Sequence, residues 1–203
     1  TAEMKAAKKF ALDSNVVSAI SSGVIANPVF TSATAITTDT NWTSGSGWEI
    51  TADSANSLTD RPGWKAFDNI WTDSESLNVW HSTGTATSTS SPKWLKIKYP
   101  SAYKAVQYSI QIRDLSYPRY PKTWKFQGSN NDSDWTDLDT QTNKTDWAGN
   151  NTVMFTFSNS TAYQYYRLYI TATDTSDSDA GCCIRELKVY TSVSGSQVGN
   201  VPL

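Results

Sequence analysis

The sequence predicts an all-β protein, a sandwich or barrel of antiparallel strands. Short segments in which apolar and polar residues alternate follow one another along its second half, and this period of two is that of a strand. No helical period separates these segments, whereas the stretches between them are rich in the turn formers Gly, Pro, Asn and Asp. The 203 residues suffice for one such domain with an extended end.

The first clear strand covers residues 93–99, where Leu95, Ile97 and Tyr99 fall on one face of the pleat. The second covers 106–113, in which apolar residues at even positions alternate with polar residues at odd positions. The even set, predicted to face the core, is Val106, Tyr108, Ile110 and Ile112. The odd set, predicted to face solvent, is Gln107, Ser109, Gln111 and Arg113. Four further segments repeat the pattern: 123–128, 152–157, 165–171 and 184–190.

The first 47 residues have a different character. Residues 1–13 fit a short helix, because Met4, Ala7 and Phe10 lie near one face of it. Residues 14–47 are small and hydroxyl-rich with only weak apolar clusters, which indicates an arm or linker. At most one strand is expected within it, paired with a strand from another part of the chain.

Composition excludes several classes of function. The net charge of −2 rules out a grip on nucleic acid driven by bulk charge, and no apolar stretch reaches the length of a membrane span. Ser and Thr make up 53 of the 203 residues, which is typical of extracellular β-proteins. Cys182 and Cys183 are adjacent, so a disulfide between them would strain the backbone, and both are predicted to be free and buried.

The residue patterns do not favour an enzyme. The single histidine, His81, stands in Trp80-His81-Ser82 without a nucleophile-elbow motif, and the Cys and His spacings do not suit zinc. Asp is plentiful, so a hydrolase with paired carboxylates stays open as an alternative, but these residues sit in turn-like clusters where Asp caps its own backbone.

Binding is better supported, because several loops place aromatic and basic residues together. Sugar rings pack on aromatic rings, and their hydroxyls need fixed donors and acceptors. Trp64 and Trp147 lie between strands, where core packing and sugar stacking remain equally open. The tryptophans inside or beside strands are predicted for the core: Trp80, Trp94, Trp124 and Trp135.

A series of short runs is spread over about residues 46–191. The runs are Lys65-Ala66-Phe67-Asp68, Trp80-His81-Ser82, Pro92-Lys93-Trp94-Leu95-Lys96-Ile97, Pro121-Lys122-Thr123-Trp124-Lys125-Phe126-Gln127-Gly128, Ala162-Tyr163-Gln164-Tyr165-Tyr166-Arg167-Leu168 and Arg185-Glu186-Leu187. In its order and spacing this series resembles the discoidin domain, also called coagulation factor 5/8 type C, which overlaps a large class of carbohydrate-binding modules. The resemblance implies an eight-stranded antiparallel jelly-roll β-sandwich over 46–191, an N-terminal arm over 1–45 and a C-terminal tail over 192–203.

The resemblance places the ligand in loops at one end of the sandwich. Aromatic residues there are expected to stack on the sugar, and Arg113, Arg119 and His81 to hydrogen-bond its hydroxyls. The full set of predicted ligand-binding residues is Trp64, His81, Arg113, Tyr117, Arg119, Tyr120 and Trp147.

Many members of this family hold a structural Ca²⁺, for which the resemblance implies the ligands Asp68, Asp73, Asn78 and Glu186. Asn78 stands where the family has Thr, and Asn69 where it has Gly, so the match is incomplete. Calcium binds six to eight oxygens, roughly, which this set supplies in part. The alternative is that Asp68 caps a turn and Glu186 pairs with a base such as Arg185 or Lys188.

The predicted function is a non-catalytic glycan-binding module on an extracellular or phage-virion surface, such as a tail fibre or adhesin. Its predicted partners are a cell-surface glycan and, through the arm, further copies of the chain or other surface proteins. The alternatives are a structural virion or surface-layer subunit and, less favoured by loops rich in Tyr, Ser and Asp, a phospholipid reader. Nucleic-acid binding and membrane insertion are not expected.

Overall fold

The computed structural model describes nine parts of the chain: residues 36–38, 41–43, 47–55, 61–68, 78–84, 89–113, 118–148, 152–175 and 181–191. These residues form twelve strands and one short 3-10 helix, Gly63–Phe67. The strands are β1 Ile36–Thr38, β2 Asn41–Thr43, β3 Glu49–Ala52, β4 Trp80–His81, β5 Lys93–Tyr103, β6 Gln107–Gln111, β7 Tyr120–Ser129, β8 Thr136–Gln141, β9 Thr152–Thr156, β10 Tyr163–Asp174, β11 Cys183–Ile184 and β12 Glu186–Tyr190.

The strands form three antiparallel sheets. The large sheet has the order β1-β2-β3-β5-β10-β7-β8, the small sheet has the order β12-β6-β9, and β4 pairs with β11 alone. All six segments with clear alternation contain or overlap a strand, which confirms the antiparallel β-sandwich. Twelve strands rather than eight are present among the described residues, of which eight have four or more residues.

The seven-stranded sheet and the three-stranded sheet are joined by aromatic packing around Tyr108 of β6. Its ring stacks on Phe126 of β7 at a centroid distance of 4.2 Å and on Phe155 of β9 at 4.9 Å. The hydroxyl of Tyr108 accepts a hydrogen bond of 2.9 Å from Trp124 Nε1 and donates one of 2.6 Å to Asp139. Burial, together with the hydrogen bond to Asp139, raises the pKa of Tyr108 well above its usual value, so this hydroxyl keeps its proton.

The predicted strand faces are confirmed for β5, where Leu95, Ile97 and Tyr99 are fully buried. Along and beside β6, Tyr108, Ile110 and Ile112 of the inward set are fully buried, whereas Val106 is only partly buried. The prediction for the outward set is wrong at Gln107, Ser109 and Gln111, which are buried. Gln107 and Ser109 are less than 5% exposed, because Gln107 bonds Thr156 of β9 and Ser109 bonds Tyr190 of β12. A central strand has neighbours on both sides, and these partners cover its polar face. Arg113 lies beyond the end of β6 and is partly exposed.

Two of the four tryptophans predicted for the core lie there: Trp80 and Trp124 are fully buried. Trp94 and Trp135 are only partly buried and contact cations instead. The ammonium of Lys96 lies 5.4 Å from the ring of Trp94, and the guanidinium of Arg167 lies 3.9 Å from the ring of Trp135. Trp94 precedes the buried Leu95, so the strand period turns it to the outer face.

The segment predicted as an arm supplies two strands to the large sheet. β1 pairs with β2, and β2 pairs with β3, in line with the expectation of a strand that pairs elsewhere. The predicted helix over 1–13 and the tail over 192–203 lie outside the described residues.

We expect Tyr108→Phe to lower the free energy of unfolding by about 1–3 kcal/mol, because Trp124 Nε1 loses its acceptor and Asp139 its donor. Urea unfolding followed by tryptophan fluorescence measures this change. Tyr165→Phe, which removes a hydroxyl on the outer face of β10, is the matched control and is expected to change stability by less than ~0.5 kcal/mol. Equal effects of the two variants would contradict a cross-sheet role for the Tyr108 hydroxyl.

Candidate functional site

His81 lies at the centre of the candidate site, on the short strand β4. The register of β4 with β11 places His81 opposite Cys183. The next residue fixes this pairing, because Ser82 N donates to Cys182 O at 2.9 Å and Ser82 Oγ accepts from Cys182 N at 2.8 Å. His81 N donates to Arg61 O at 3.3 Å, so the backbone of the site is hydrogen-bonded on both sides.

Gly181 allows the segment before β11 to approach the end of β4 closely enough for the hydrogen bonds between Ser82 and Cys182. A Cβ atom at this position would lie 1.7 Å from the carbonyl oxygen of Ser82 and 2.9 Å from Cδ2 of His81. Neither distance is compatible with van der Waals contact, and the nearer atom belongs to the backbone. Glycine is therefore required here by the closeness of the β4 segment.

Two guanidinium groups flank the imidazole of His81. Nη1 of Arg61 lies 3.0 Å from Nδ1, and Nη1 of Arg119 lies 3.3 Å from Nε2. The backbone anchors Arg119 as well, since its carbonyl oxygen accepts from Cys183 N at 2.6 Å. Arg61 and Arg119 thus converge on one ring, although they lie 20 and 38 positions from His81 in the sequence.

Burial, together with the positive charges of Arg119, Arg61 and Arg113, lowers the pKa of His81 from 6.5 to about 4. The ring is 2% exposed and uncharged at neutral pH. Such an imidazole is a weak base, and guanidinium groups occupy the positions where a catalytic triad places a carboxylate and a nucleophile.

The two cysteines are free and buried, as predicted. Burial raises the pKa of the Cys183 thiol to about 11, although Arg119, Arg113 and Arg61 act against this rise. Burial also raises the pKa of Cys182 well above its usual value. Both residues therefore stay protonated, and they serve the site through their backbone groups.

Three aromatic residues predicted to contact the ligand are core residues in this structure. Trp64, Tyr120 and Trp147 are 9%, 6% and 5% exposed. Trp147 stacks on Trp124 at 5.8 Å, and its Nε1 donates to Pro121 O at 2.9 Å. Because a stacked sugar needs an open ring face, their burial corrects the expectation that they stack on the ligand. Tyr117 lies outside the described residues.

The structure brings His81 and Arg119 together, with Arg113 close enough to act on the pKa of the ring. It adds Arg61, which the predicted ligand set lacks. The sequence signal for Arg61 was its position close to Trp64, in a loop where aromatic and basic residues occur together. That Arg61 rather than Trp64 faces His81 depends on the path of the loop.

Of the predicted calcium ligands, Asp68, Asn78 and Glu186 are 2%, 5% and 2% exposed. Asp68 is the residue at the end of the 3-10 helix, which contacts β12, the strand that begins with Glu186. Asp73 lies outside the described residues. Among the residues that the structure describes, no cluster of three or more His, Cys, Asp or Glu side chains is arranged to hold a metal ion.

Residues 65–168, just over half of the chain, match the family model of the NedA-like, galactose-binding domain of the F5/F8 type C group. The chain belongs to this family. The match runs from the 3-10 helix into β10 and confirms the resemblance to discoidin domains. No curated protein matches the chain in sequence.

Solved structures confirm the fold of this family member. The CBM32-3 module from a family 31 glycoside hydrolase of Clostridium perfringens gives a TM-score of 0.57 at 21% identity, over 70% of this chain and 88% of that chain. The family 32 module of C. perfringens NanJ, in complex with galactose, gives 0.51 at 18% over 75% and 99%. The CBM32 of AlyQ, in complex with 4,5-unsaturated mannuronic acid, gives 0.53 at 13% over 70% and 94%.

Over the described part of the chain, no helix has the length and apolar character needed to cross a membrane.

Because His81 is the single histidine, its imidazole NMR signals report one titration. We expect a pKa of about 4 in the folded protein. Arg119→Gln is expected to raise this pKa, since it removes the positive charge that contributes most to lowering it. A value near 6.5 in the folded wild type would contradict the cluster described above.

The same pKa shift makes stability depend on pH. Above pH 6.5 the ring is neutral in both states, whereas between 6.5 and about 4 only the unfolded chain binds the proton. The free energy of unfolding is therefore expected to fall as the pH decreases through this window. Urea unfolding across it should show a shallower decrease for His81→Gln than for the wild type.

Proposed function

We propose that this chain is a non-catalytic glycan-binding module whose site is formed by His81 and Arg61, Arg113 and Arg119 around it. The observation that supports it is the convergence of two guanidinium groups on one buried imidazole at distances of 3.0 and 3.3 Å. Membership in a galactose-binding domain family and a fold shared with modules solved with galactose and with an unsaturated mannuronic acid support the same function.

The chemistry of the site fits a sugar. Each guanidinium offers several N–H donors in a fixed plane, and the hydroxyl oxygens of a sugar accept such bonds at defined angles. Arg61 and Arg119 are attached to the sandwich by backbone hydrogen bonds to His81 and Cys183, so little ordering is needed when a ligand binds. With Trp64, Tyr120 and Trp147 in the core, Tyr117 remains the predicted stacking partner.

A single shallow site binds a sugar weakly, so the chain is best tested in a multivalent form. We expect the chain, displayed on streptavidin, to bind a subset of a glycan array. Arg119→Gln should weaken this binding at least about tenfold, the effect of one lost charge-assisted hydrogen bond. Lys104→Gln removes an equal charge from an exposed residue between β5 and β6 and is the control.

Absence of binding by the multivalent wild type would contradict this proposal. It would favour the structural subunit, in which the sandwich contacts other proteins and the segment 1–45 links copies. The contribution of β1 and β2 to the large sheet is compatible with either function.

The proposal extends to location, on an extracellular or virion surface such as a tail fibre. The hydroxyl-rich composition, with 53 Ser and Thr, supports it, as does the similarity of the sequence to discoidin modules of bacterial and phage surface proteins.

We further propose that Asp68, Asn78 and Glu186 contribute oxygens to a structural Ca²⁺ site, with Asp73 as the fourth predicted ligand. The resemblance to family members that hold calcium supports this site, and Asp68 and Glu186 are both buried where the 3-10 helix contacts β12. Hard oxygen donors are the ligands that calcium prefers.

Added CaCl₂ is expected to raise the thermal unfolding midpoint above that in EDTA, because an ion that binds only the folded state stabilises it. Asp68→Asn should abolish this response. The control Asp146→Asn, at a side chain with 85% exposure, should retain it. A wild-type midpoint that is the same in CaCl₂ and EDTA would refute the calcium site.

A further inference from the structure

Two residues that follow β3, Asp53 and Ser54, connect the large sheet to the strand that carries His81. Asp53 continues the pairing with β5, because its backbone N donates to Trp94 O at 3.0 Å and its Oδ1 accepts from Trp94 N at 3.1 Å. Its Oδ2 lies 3.2 Å from Nζ of Lys93. Asp53 is therefore attached to the start of β5 through its backbone and through both carboxylate oxygens.

Ser54 extends this attachment to β4. Its carbonyl oxygen accepts from Trp80 Nε1 at 2.9 Å, and its Oγ accepts from Thr83 N at 3.1 Å. The same hydroxyl donates to Oδ2 of Asp53 at 2.8 Å, so the carboxylate sets its direction. Trp80 directly precedes His81, and Thr83 lies two residues after it. The two hydrogen bonds to Ser54 thus hold the chain on both sides of the imidazole.

The carboxylate of Asp53 also acts on the segment that pairs with β4. Burial, together with Cys183 and Asp53 and against the charge of Lys93, raises the pKa of the Cys182 thiol. Cys182 is the residue whose backbone exchanges hydrogen bonds with Ser82. Asp53 is therefore close to both segments of this strand pair.

We propose that Asp53 and Ser54 are positioning residues of the candidate site, which hold His81 in its buried place between Arg61 and Arg119. The inference concerns the geometry of that site, and only its consequence for a ligand rests on the proposed glycan-binding function. β4 has two residues, so its ladder with β11 fixes the segment at few points. The bonds from Ser54 add one point before the imidazole and one after it.

A carboxylate is the group that residue 53 requires. It accepts from three donors at once: the backbone N of Trp94, the hydroxyl of Ser54 and the ammonium of Lys93. An amide accepts through one oxygen only, and its NH₂ group would face donors. Asp53→Asn therefore keeps the shape of the side chain but removes part of the connection.

The titration of His81 is the measurement that separates positioning from general stability. If β4 moves away from the sandwich, the imidazole gains solvent and its pKa rises from about 4 towards 6.5. A substitution that destabilises the protein without changing the folded site leaves this pKa unchanged. The imidazole NMR signals of the full folded chain report the titration directly, and the single histidine makes the assignment unambiguous.

Ser54→Ala removes the acceptor of Thr83 N. We expect it to raise the pKa of His81 and to speed hydrogen exchange of the Thr83 amide by about threefold to tenfold. Asp53→Asn should raise the pKa in the same direction. Ser54→Thr keeps the hydroxyl and should retain the wild-type pKa. On the glycan array, Ser54→Ala is expected to bind more weakly than Ser54→Thr.

Asn159→Ala is the matched control. The side chain of Asn159 donates to Ala105 O at 2.9 Å and to Thr161 O at 2.8 Å, so it too joins separate parts of the backbone. Ala105 lies before β6, whereas Arg113, which acts on His81, lies beyond the other end of that strand. The control should lower the urea-unfolding midpoint and leave the pKa of His81 unchanged.

The outcomes separate this inference from the proposed function. A pKa of His81 that is the same in the wild type, Ser54→Ala and Asp53→Asn would overturn the positioning role and leave the glycan-binding function standing. An equal rise in Asn159→Ala would also overturn it, because the effect would then be one of general stability. If the pKa rises as expected but the multivalent wild type binds no glycan, the proposed function fails and the positioning role stands.

Discussion

The packing of Tyr108 between the two principal sheets is the interaction on which the rest of the structure depends. Its ring fills the space between Phe126 and Phe155, while its hydroxyl satisfies the indole of Trp124 and a carboxylate of β8. Apolar stacking gives the sandwich its stability, and the hydrogen bonds determine how the sheets are aligned, because a buried polar group left unpaired is costly. The alignment of the two sheets in turn sets the positions of the loops at the end of the sandwich.

The candidate site shows how little backbone is needed to position a binding group once that scaffold is rigid. β4 and β11 have two residues each, yet their pairing, the hydroxyl of Ser82 and the absence of a side chain at Gly181 hold His81 against Cys183. Arg61 and Arg119 are attached to the same strand pair by backbone hydrogen bonds. Movement of any one of these segments would displace the others.

Burial and charge act together at His81. Desolvation and three nearby guanidinium groups keep the ring neutral, so the positive charge around it comes from the arginines and not from the imidazole. On the outer face of the large sheet, Lys96 forms an ion pair with Asp132.

The sequence by itself determined the strands and most of their inward faces, because alternation is a local property that each segment shows without its neighbours. It also predicted His81, Arg113 and Arg119 as ligand-binding residues, through the order of motifs that resembles the family. Only the tertiary structure decided that Trp64, Tyr120 and Trp147 close the core, that Gln107 is covered, and that Arg61 faces His81. These facts depend on contacts between segments far apart in the chain, and no pattern within one segment specifies which side of a loop turns inward.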